Sequence, residues 1–154
     1  MEPIEIKVDR SEFLDPTKIE KPLLSFKEFL YPELQQSGPE SYKVSDLEPI
    51  YFTTDQRELI FSGKEILKRF QSLPDEIERT LNLQDGFALM DLSPKTFSER
   101  FPENFVACWK SAIRNIAGNE LVPIIRAKGD SVVCYWHGLY AWRFESPYYR
   151  FAAE

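Results

Sequence analysis

The side chains best suited to chemistry lie together in residues 121–144, which carry the only histidine, one of the two cysteines and two of the three tryptophans. His137 could act as a general acid or base, and Cys134 or the carboxylate of Asp130 could assist it. We expect a two-residue hairpin loop at His137 and Gly138, because glycine tolerates the positive φ of such loops. Cys134 would then lie three residues back along the strand, with its sulfur away from the imidazole. A turn histidine and a core cysteine are therefore expected rather than a catalytic pair.

Other kinds of reactive site find little support in the sequence. One histidine and two cysteines do not supply the paired ligand spacings of a zinc site. The glycines are few and isolated, and they form no GxxxxGK or GxGxxG phosphate loop. Cys108 and Cys134 are expected to be reduced, and at least one to be buried as a small hydrophobic residue. We expect no catalytic residue, no cofactor and no metal.

The same stretch is rich in aromatic residues. We expect three antiparallel strands joined by turns at residues 128–130 and 137–138, with Trp136 opposite Leu139. Both faces of such a meander would be apolar, so the face turned away from the core is either covered by further structure or left for a partner. Trp, Tyr and Arg are favoured anchors of protein interfaces. The candidate contact residues are Asp130, Tyr135, Trp136, His137, Tyr140 and Arg143.

Local signals in the first half of the chain predict the elements that accompany this stretch. Alternation of apolar and charged residues over 4–9 predicts an edge strand. Ser25 opens a capping-box pattern that predicts a short helix ending before Pro32. Residues 35–41 are expected to form an exposed loop. Two strand-like runs within residues 49–61 predict a hairpin.

Caps and prolines predict most of the second half. Helices are expected to begin at Ser62, Pro74, Ser93 and Pro102. The last is expected to run to residue 117, because Phe105, Trp109 and Ile113 recur at helical spacing and Gly118 can cap its end. Gln84-Asp85-Gly86 is expected to turn the chain into a buried strand over residues 87–90. These elements predict an α+β fold with a mostly antiparallel sheet flanked by helices.

Composition limits the class of protein. The 154 residues are 43% hydrophobic and 29% charged, which suits one ordered domain. No apolar run is long enough to span a bilayer, and the start MEPIEIKVDR lacks the basic and apolar regions of a signal peptide, so a cytoplasmic protein is expected. A net charge of −6 disfavours nucleic acid as a partner and suits a basic protein.

Several motifs in the second half carry a family resemblance. They are Leu73-Pro74-Asp75-Glu76, the run DGFALMDLSP at residues 85–94, Trp109, and LVPIIRAKGD at residues 121–130. Together they resemble the GAD-like immunity domains found beside bacterial toxins, and residues 73–142 are also similar to the SUKH immunity superfamily. The resemblance implies a core over residues 61–154, and residues 1–60 have no counterpart in it. It also implies a non-enzymatic protein that binds and blocks a toxin, which here could be a basic toxin domain.

Two other functions remain open at this point. A small enzyme or ligand-binding protein would have a deep pocket enclosing His137, with carboxylates such as Asp91, Asp130 or Glu145 converging on it. An accessory protein of a phage or mobile element could instead form a homo-oligomer through the aromatic sheet face. Its mass in solution would test that possibility.

Overall fold

In the computed structural model, the chain has an α+β fold built from short antiparallel strands and short helices. The structure describes residues 3–19, 26–51, 61–139, 143–144 and 147–152, with side chains in all of these except 61–62 and 143–144. The strands are β1 (Glu5–Lys7), β2 (Phe26–Phe29), β3 (Ser41–Lys43), β4 (Leu47–Ile50), β5 (Phe61–Ser62), β6 (Val106–Ala107), β7 (Ile113–Asn115), β8 (Glu120–Lys128), β9 (Ser131–Gly138), β10 (Arg143–Phe144) and β11 (Tyr148–Phe151). The helices are α1 (Gly63–Ser72), α2 (Pro74–Ile77), α3 (Leu83–Leu89) and α4 (Pro94–Arg100).

The central sheet is organised around β8, its longest strand. One edge of β8 pairs with β9 along its whole length, and the other edge pairs first with β7 and then with β6. β2 extends the sheet beyond β7. Gly129 takes a φ of 61° in the turn between β8 and β9, a conformation that glycine adopts without strain. The predicted turn at residues 128–130 and the two antiparallel strands that it joins are therefore confirmed.

Three further strand pairs join distant parts of the chain. β1 pairs with β3, β4 with β11 and β5 with β10, all antiparallel. Of the third strand of the predicted meander, the structure describes β10, which pairs with β5. β9 continues through the predicted two-residue loop, with His137 opposite Val122 and Gly138 opposite Leu121.

Two apolar clusters cover the two faces of the β8–β9 hairpin. Ile125, Cys134 and Trp136 belong to the first cluster, together with buried side chains of α3 and α4. Val122 and Ile124 belong to the second, which includes buried side chains of α1. This follows from the alternation of side chains along a strand, since neighbouring residues point to opposite faces. Both faces of the hairpin thus contribute to the core.

An irregular N-terminal segment, residues 9–19, lies over the first cluster. Its backbone carbonyls accept hydrogen bonds from side chains elsewhere in the chain. Gln84 donates to the carbonyls of residues 9 and 12, Gln36 to those of residues 10 and 11, and the Trp136 indole to that of residue 16. Pro16 and Ile19 are buried at its far end. The segment is therefore an integral part of the fold although it has little regular structure.

Several local predictions are confirmed. β1 has the expected alternation, with Ile6 buried between exposed neighbours. α1 buries Ile66, Leu67 and Phe70 along one stripe, and α2 and α4 start at the predicted prolines. In α4 the Ser93 hydroxyl accepts a hydrogen bond from the Thr96 N–H, which satisfies one of the free donors at the helix start.

The predicted helices at residues 25–30 and 102–117 are wrong. Residues 26–29 form β2, and Pro32 starts a short 3₁₀ turn (Pro32–Leu34) instead of ending a helix. Residues 106–115 form β6, a 3₁₀ turn (Trp109–Ser111) and β7. Every side chain in residues 106–113 is buried, so pairing with β8 overrides the helical spacing of the apolar residues. Gly118 has a φ of 85° in the turn before β8 and caps no helix.

The predicted strand over residues 87–90 is also wrong. Residues 83–89 form α3 instead of a turn and a strand, because Asn82 and Asp85 form a reciprocal capping box. Gly86 lies inside this helix, where an added Cβ would come within 2.8 Å of Cys108 Sγ. Of the expected hairpin within residues 49–61, the structure describes only the outer ends of the two runs, where β4 pairs with β11 and β5 with β10. Residues 52–60, including the expected turn, lie outside the described residues.

Candidate functional site

The densest group of chemically capable side chains lies beneath the N-terminal segment and is centred on Asp85. Asp85 is completely buried, and its Oδ1 accepts hydrogen bonds from Arg10 Nη2 and from the Tyr42 hydroxyl, both at 2.7 Å. Its Oδ2 accepts a bond from the backbone N–H of Asn82 at 3.0 Å. The Arg10 side chain is only 8% exposed. The buried carboxylate is therefore matched by a buried guanidinium, as a charge in a protein interior requires.

The start of α3 fixes this group in place. Asn82 caps the helix through its Oδ1, and its amide nitrogen donates to the carbonyls of Leu34 and Ser37 at 3.0 and 2.9 Å. Asn82 Oδ1 also accepts a hydrogen bond from Arg10 Nη1 at 3.2 Å. A helix start, a loop and the N-terminal segment thus meet at one polar centre. Such a fully bonded network makes a specific structure, because breaking one member leaves the others buried without partners.

Lys110 adds a second cation to this region. It lies in the 3₁₀ turn between β6 and β7, is 1% exposed, and its ammonium is 5.9 Å from the centre of the Phe151 ring. Its pKa is lowered to about 8, mainly by burial; the charge of Asp85 opposes this, Arg10 contributes to it, and Glu78 opposes it. Burial also raises the pKa of Tyr42, as do the charge and hydrogen bond of Asp85. Tyr42 is therefore a neutral hydrogen-bond donor here.

The two cysteines are free and buried. Burial raises the pKa of Cys134 to about 12 and that of Cys108 well above its ordinary value. Since the thiolate is the nucleophilic form, neither sulfur is activated at neutral pH. Cys134 and His137 lie at odd spacing on β9, so their side chains leave opposite faces of the strand. The separation expected from the sequence is confirmed, although the reason is strand alternation instead of a loop.

The structure places the predicted contact residues in three different settings. Asp130 is exposed in the turn after β8, and Tyr135 and His137 are half-buried on β9 with their ring centres 6.1 Å apart. Trp136 is only 6% exposed and donates its indole N–H to the Pro16 carbonyl. Trp136 therefore belongs to the core and does not present a contact surface. Tyr140 and the side chain of Arg143 lie outside the described residues.

The surroundings of His137 favour the neutral form of its imidazole ring. Its Nδ1 lies 3.1 Å from the carbonyl oxygen of Gly138. Burial lowers the pKa of the imidazole, and the hydrogen bond to Gly138 partly opposes that effect. The neutral ring is therefore favoured at pH 7. Three surface grooves formed by described residues have other linings and do not include His137.

One of these grooves runs between α3 and the N-terminal part of the chain. It has a volume of about 250 Å³ and is lined by Lys7, Val8, Asp9, Glu12, Leu14, Gln84, Phe87, Ala88 and Asp91. We call it the α3 groove. A second groove of about 620 Å³ shares residues 7–9 with it and is also lined by Glu5 and Glu40. Carboxylates outnumber basic side chains in both.

No shared sequence pattern marks Arg10, Tyr42, Asp85 and Lys110 as members of one group. They are spread over a hundred positions, and only the Asn82–Asp85 spacing of a capping box was a usable signal. Among the described residues, no three His, Cys, Asp or Glu side chains are placed to hold a metal ion. None of the described helices is long and apolar enough to cross a membrane.

Comparison with protein-family models, with curated proteins and with solved structures finds no match to this chain.

Proposed function

We propose that this chain is a non-enzymatic binding protein of the immunity or antitoxin type, which holds a basic toxin domain in the bacterial cytoplasm and blocks it. The observation that supports this most is the burial of the charged group around Asp85. Asp85 is fully buried, and Lys110 is 1% exposed. An active site must admit its substrate, whereas the Asp85 carboxylate is already paired with Arg10 inside the protein. In the proposal, this pair holds the N-terminal segment in place.

The charge of the surface supports the choice of partner. The chain carries a formal charge of −6, and the α3 groove presents three exposed carboxylates, those of Asp9, Glu12 and Asp91. Opposite charges on two partners accelerate their encounter and disfavour wrong pairs. A basic toxin domain is therefore a better fit than an acidic protein or a nucleic acid.

Co-expression with toxins encoded by neighbouring genes tests the proposal. We expect the chain to restore growth of bacteria that produce one such toxin, and we expect the two purified proteins to elute as a stable complex. A charge-matched, unrelated acidic protein of similar size is the control and should not restore growth. If none of the neighbouring toxins is neutralised and none forms a complex, the proposed function is wrong.

A further inference from the structure

The α3 groove combines two kinds of lining that suit one type of side chain. Gln84, Phe87, Ala88 and Asp91 are spaced as a single stripe along α3 and just beyond its end. Phe87 and Ala88 are half-buried, while Asp91 is exposed. An apolar surface next to a carboxylate is what a long basic side chain requires, because its stem is apolar and its head is charged.

The N-terminal segment supplies the opposite side of the groove. Asp9 and Glu12 are exposed, and Leu14 is half-buried. The Asp9 carboxylate accepts hydrogen bonds from the hydroxyl and the backbone N–H of Ser11, which lower the pKa of Asp9. Gln84 fixes this side of the groove by donating to the carbonyls of residues 9 and 12. The carboxylates are therefore attached to a backbone that is already positioned before any partner arrives.

The volume of the groove limits the size of the group that can bind in it. About 250 Å³ is below the range of roughly 300–1,000 Å³ that is usual for pockets of small-molecule ligands. One long side chain of a protein partner fits this scale better than a whole cofactor. Lys7 is the one basic residue among the lining residues, so three carboxylates leave a net negative groove.

We infer that the α3 groove is a docking site for an arginine side chain of a basic protein partner. The inference rests on the proposed function and adds the surface and the residue type that the partner uses. The guanidinium lies between Asp91 and the carboxylates of the N-terminal segment, and the plane of the guanidinium stacks on Phe87. Arginine is preferred to lysine because its planar head can stack on an aromatic ring and bond two carboxylates at once.

A short peptide tests the groove without knowledge of the partner. The probe is acetyl-Ala-Arg-Ala-Arg-Ala-amide, with a matched peptide that carries uncharged citrulline in place of arginine. Binding is followed by the amide resonances of the intact chain in a nuclear magnetic resonance titration. We expect the arginine peptide to shift the amides of Val8, Phe87 and Ala88, and the citrulline peptide to shift them much less.

Charge-reversed variants test whether the arginine peptide binds at the α3 groove. The double variant Glu12→Lys/Asp91→Lys should weaken peptide binding about tenfold, because two attractions become repulsions. The control Glu99→Lys changes an exposed carboxylate of α4 that does not line the groove and should alter binding less than about twofold. If the double variant does not fold, Glu12→Gln/Asp91→Asn replaces it. Equal weakening by the control, shifts confined to other residues, or equal binding of the citrulline peptide would overturn the inference.

The toxin assay separates this inference from the proposed function. If no neighbouring toxin is neutralised but the arginine peptide binds the groove as expected, the proposed function falls and the arginine site stands. If a toxin is neutralised equally well by the native chain and by the folded double variant, the proposed function stands and the groove is not its docking site. Protection that is lost in the double variant and kept in Glu99→Lys supports both the proposed function and the arginine site.

Discussion

Replacing Lys110 with methionine should stabilise the protein at neutral pH. The lysine is 1% exposed in the 3₁₀ turn between β6 and β7, where its charge is removed from water. Methionine keeps an unbranched chain of similar length and carries no charge. Replacement of buried charges by apolar side chains of similar volume is often stabilising, although here the contact with the Phe151 ring is lost.

The magnitude follows from the pKa of the lysine. Burial lowers it from 10.5 to about 8, so the folded state holds this proton about 3 kcal/mol less strongly than the unfolded chain. Loss of the cation–π contact removes about 0.5–1 kcal/mol of stabilisation. We therefore expect Lys110→Met to raise the free energy of unfolding by roughly 2 kcal/mol at pH 7.

The pH dependence of this stability difference tests the role of the buried charge more sharply than the value at pH 7. Between pH 8 and pH 10.5 the unfolded chain keeps the proton that folded Lys110 has lost, so the stability of the native protein rises with pH in this window. The difference in free energy of unfolding between Lys110→Met and the native protein should then shrink towards zero near pH 10. Titratable groups that both proteins share contribute equally to the pH dependence of their stabilities, so their contributions cancel in this difference.

Urea unfolding of the native protein and the variant at pH 7, 8.5 and 10 measures this difference. Lys68→Met, at an exposed position of α1, is the control and should change stability by less than about 0.5 kcal/mol at each pH. A variant that is less stable than the native protein at pH 7, with a difference that stays constant up to pH 10, would refute the reasoning.

Three further substitutions test other parts of the structure, each by urea unfolding at pH 7. Asp85→Asn should cost about 3 kcal/mol because it leaves the Arg10 guanidinium buried without its counter-charge, and a loss below about 1 kcal/mol would contradict this. Gly86→Ala should cost about 1–3 kcal/mol, since the new Cβ would meet Cys108 Sγ at 2.8 Å. Adding Cys108→Ala to that variant should recover part of the loss, and no recovery would show that the sulfur is not the obstacle. Ser93→Ala should cost about 1 kcal/mol by removing the cap of α4, whereas Ser93→Gly should cost only a few tenths.

The parts of the fold that were predicted correctly are those whose signals are local. Ser93-Pro94 and Pro74 start helices in the structure as they do in the sequence pattern, because caps and prolines act within one turn. The turn at Gly129 is equally local. The error at residues 102–117 arose because Phe105, Trp109 and Ile113 recur at helical spacing, while β8 supplies a distant pairing partner that a spacing pattern cannot include.

The candidate site was less accessible to sequence reasoning. Arg10, Tyr42 and Asp85 are ordinary residues in their own neighbourhoods, and their connection depends on the path of the N-terminal segment. That segment has no hydrophobic period, so its position could not be predicted. His137 and Cys134 stand out in the sequence because their residue types are rare in this chain. Their burial and their spacing on β9 give them no shared chemistry.

The way in which residues 9–19 are attached has a consequence for how the chain can diverge. Gln36, Gln84 and Trp136 hold this segment by its carbonyl oxygens, and every residue type offers the same carbonyl. The side chains of Glu12 and Lys18 are exposed, so they can be exchanged without loosening the segment. Exposed positions of residues 9–19 can therefore change without loss of the fold. New binding preferences can arise at these positions while the core sequence stays unchanged.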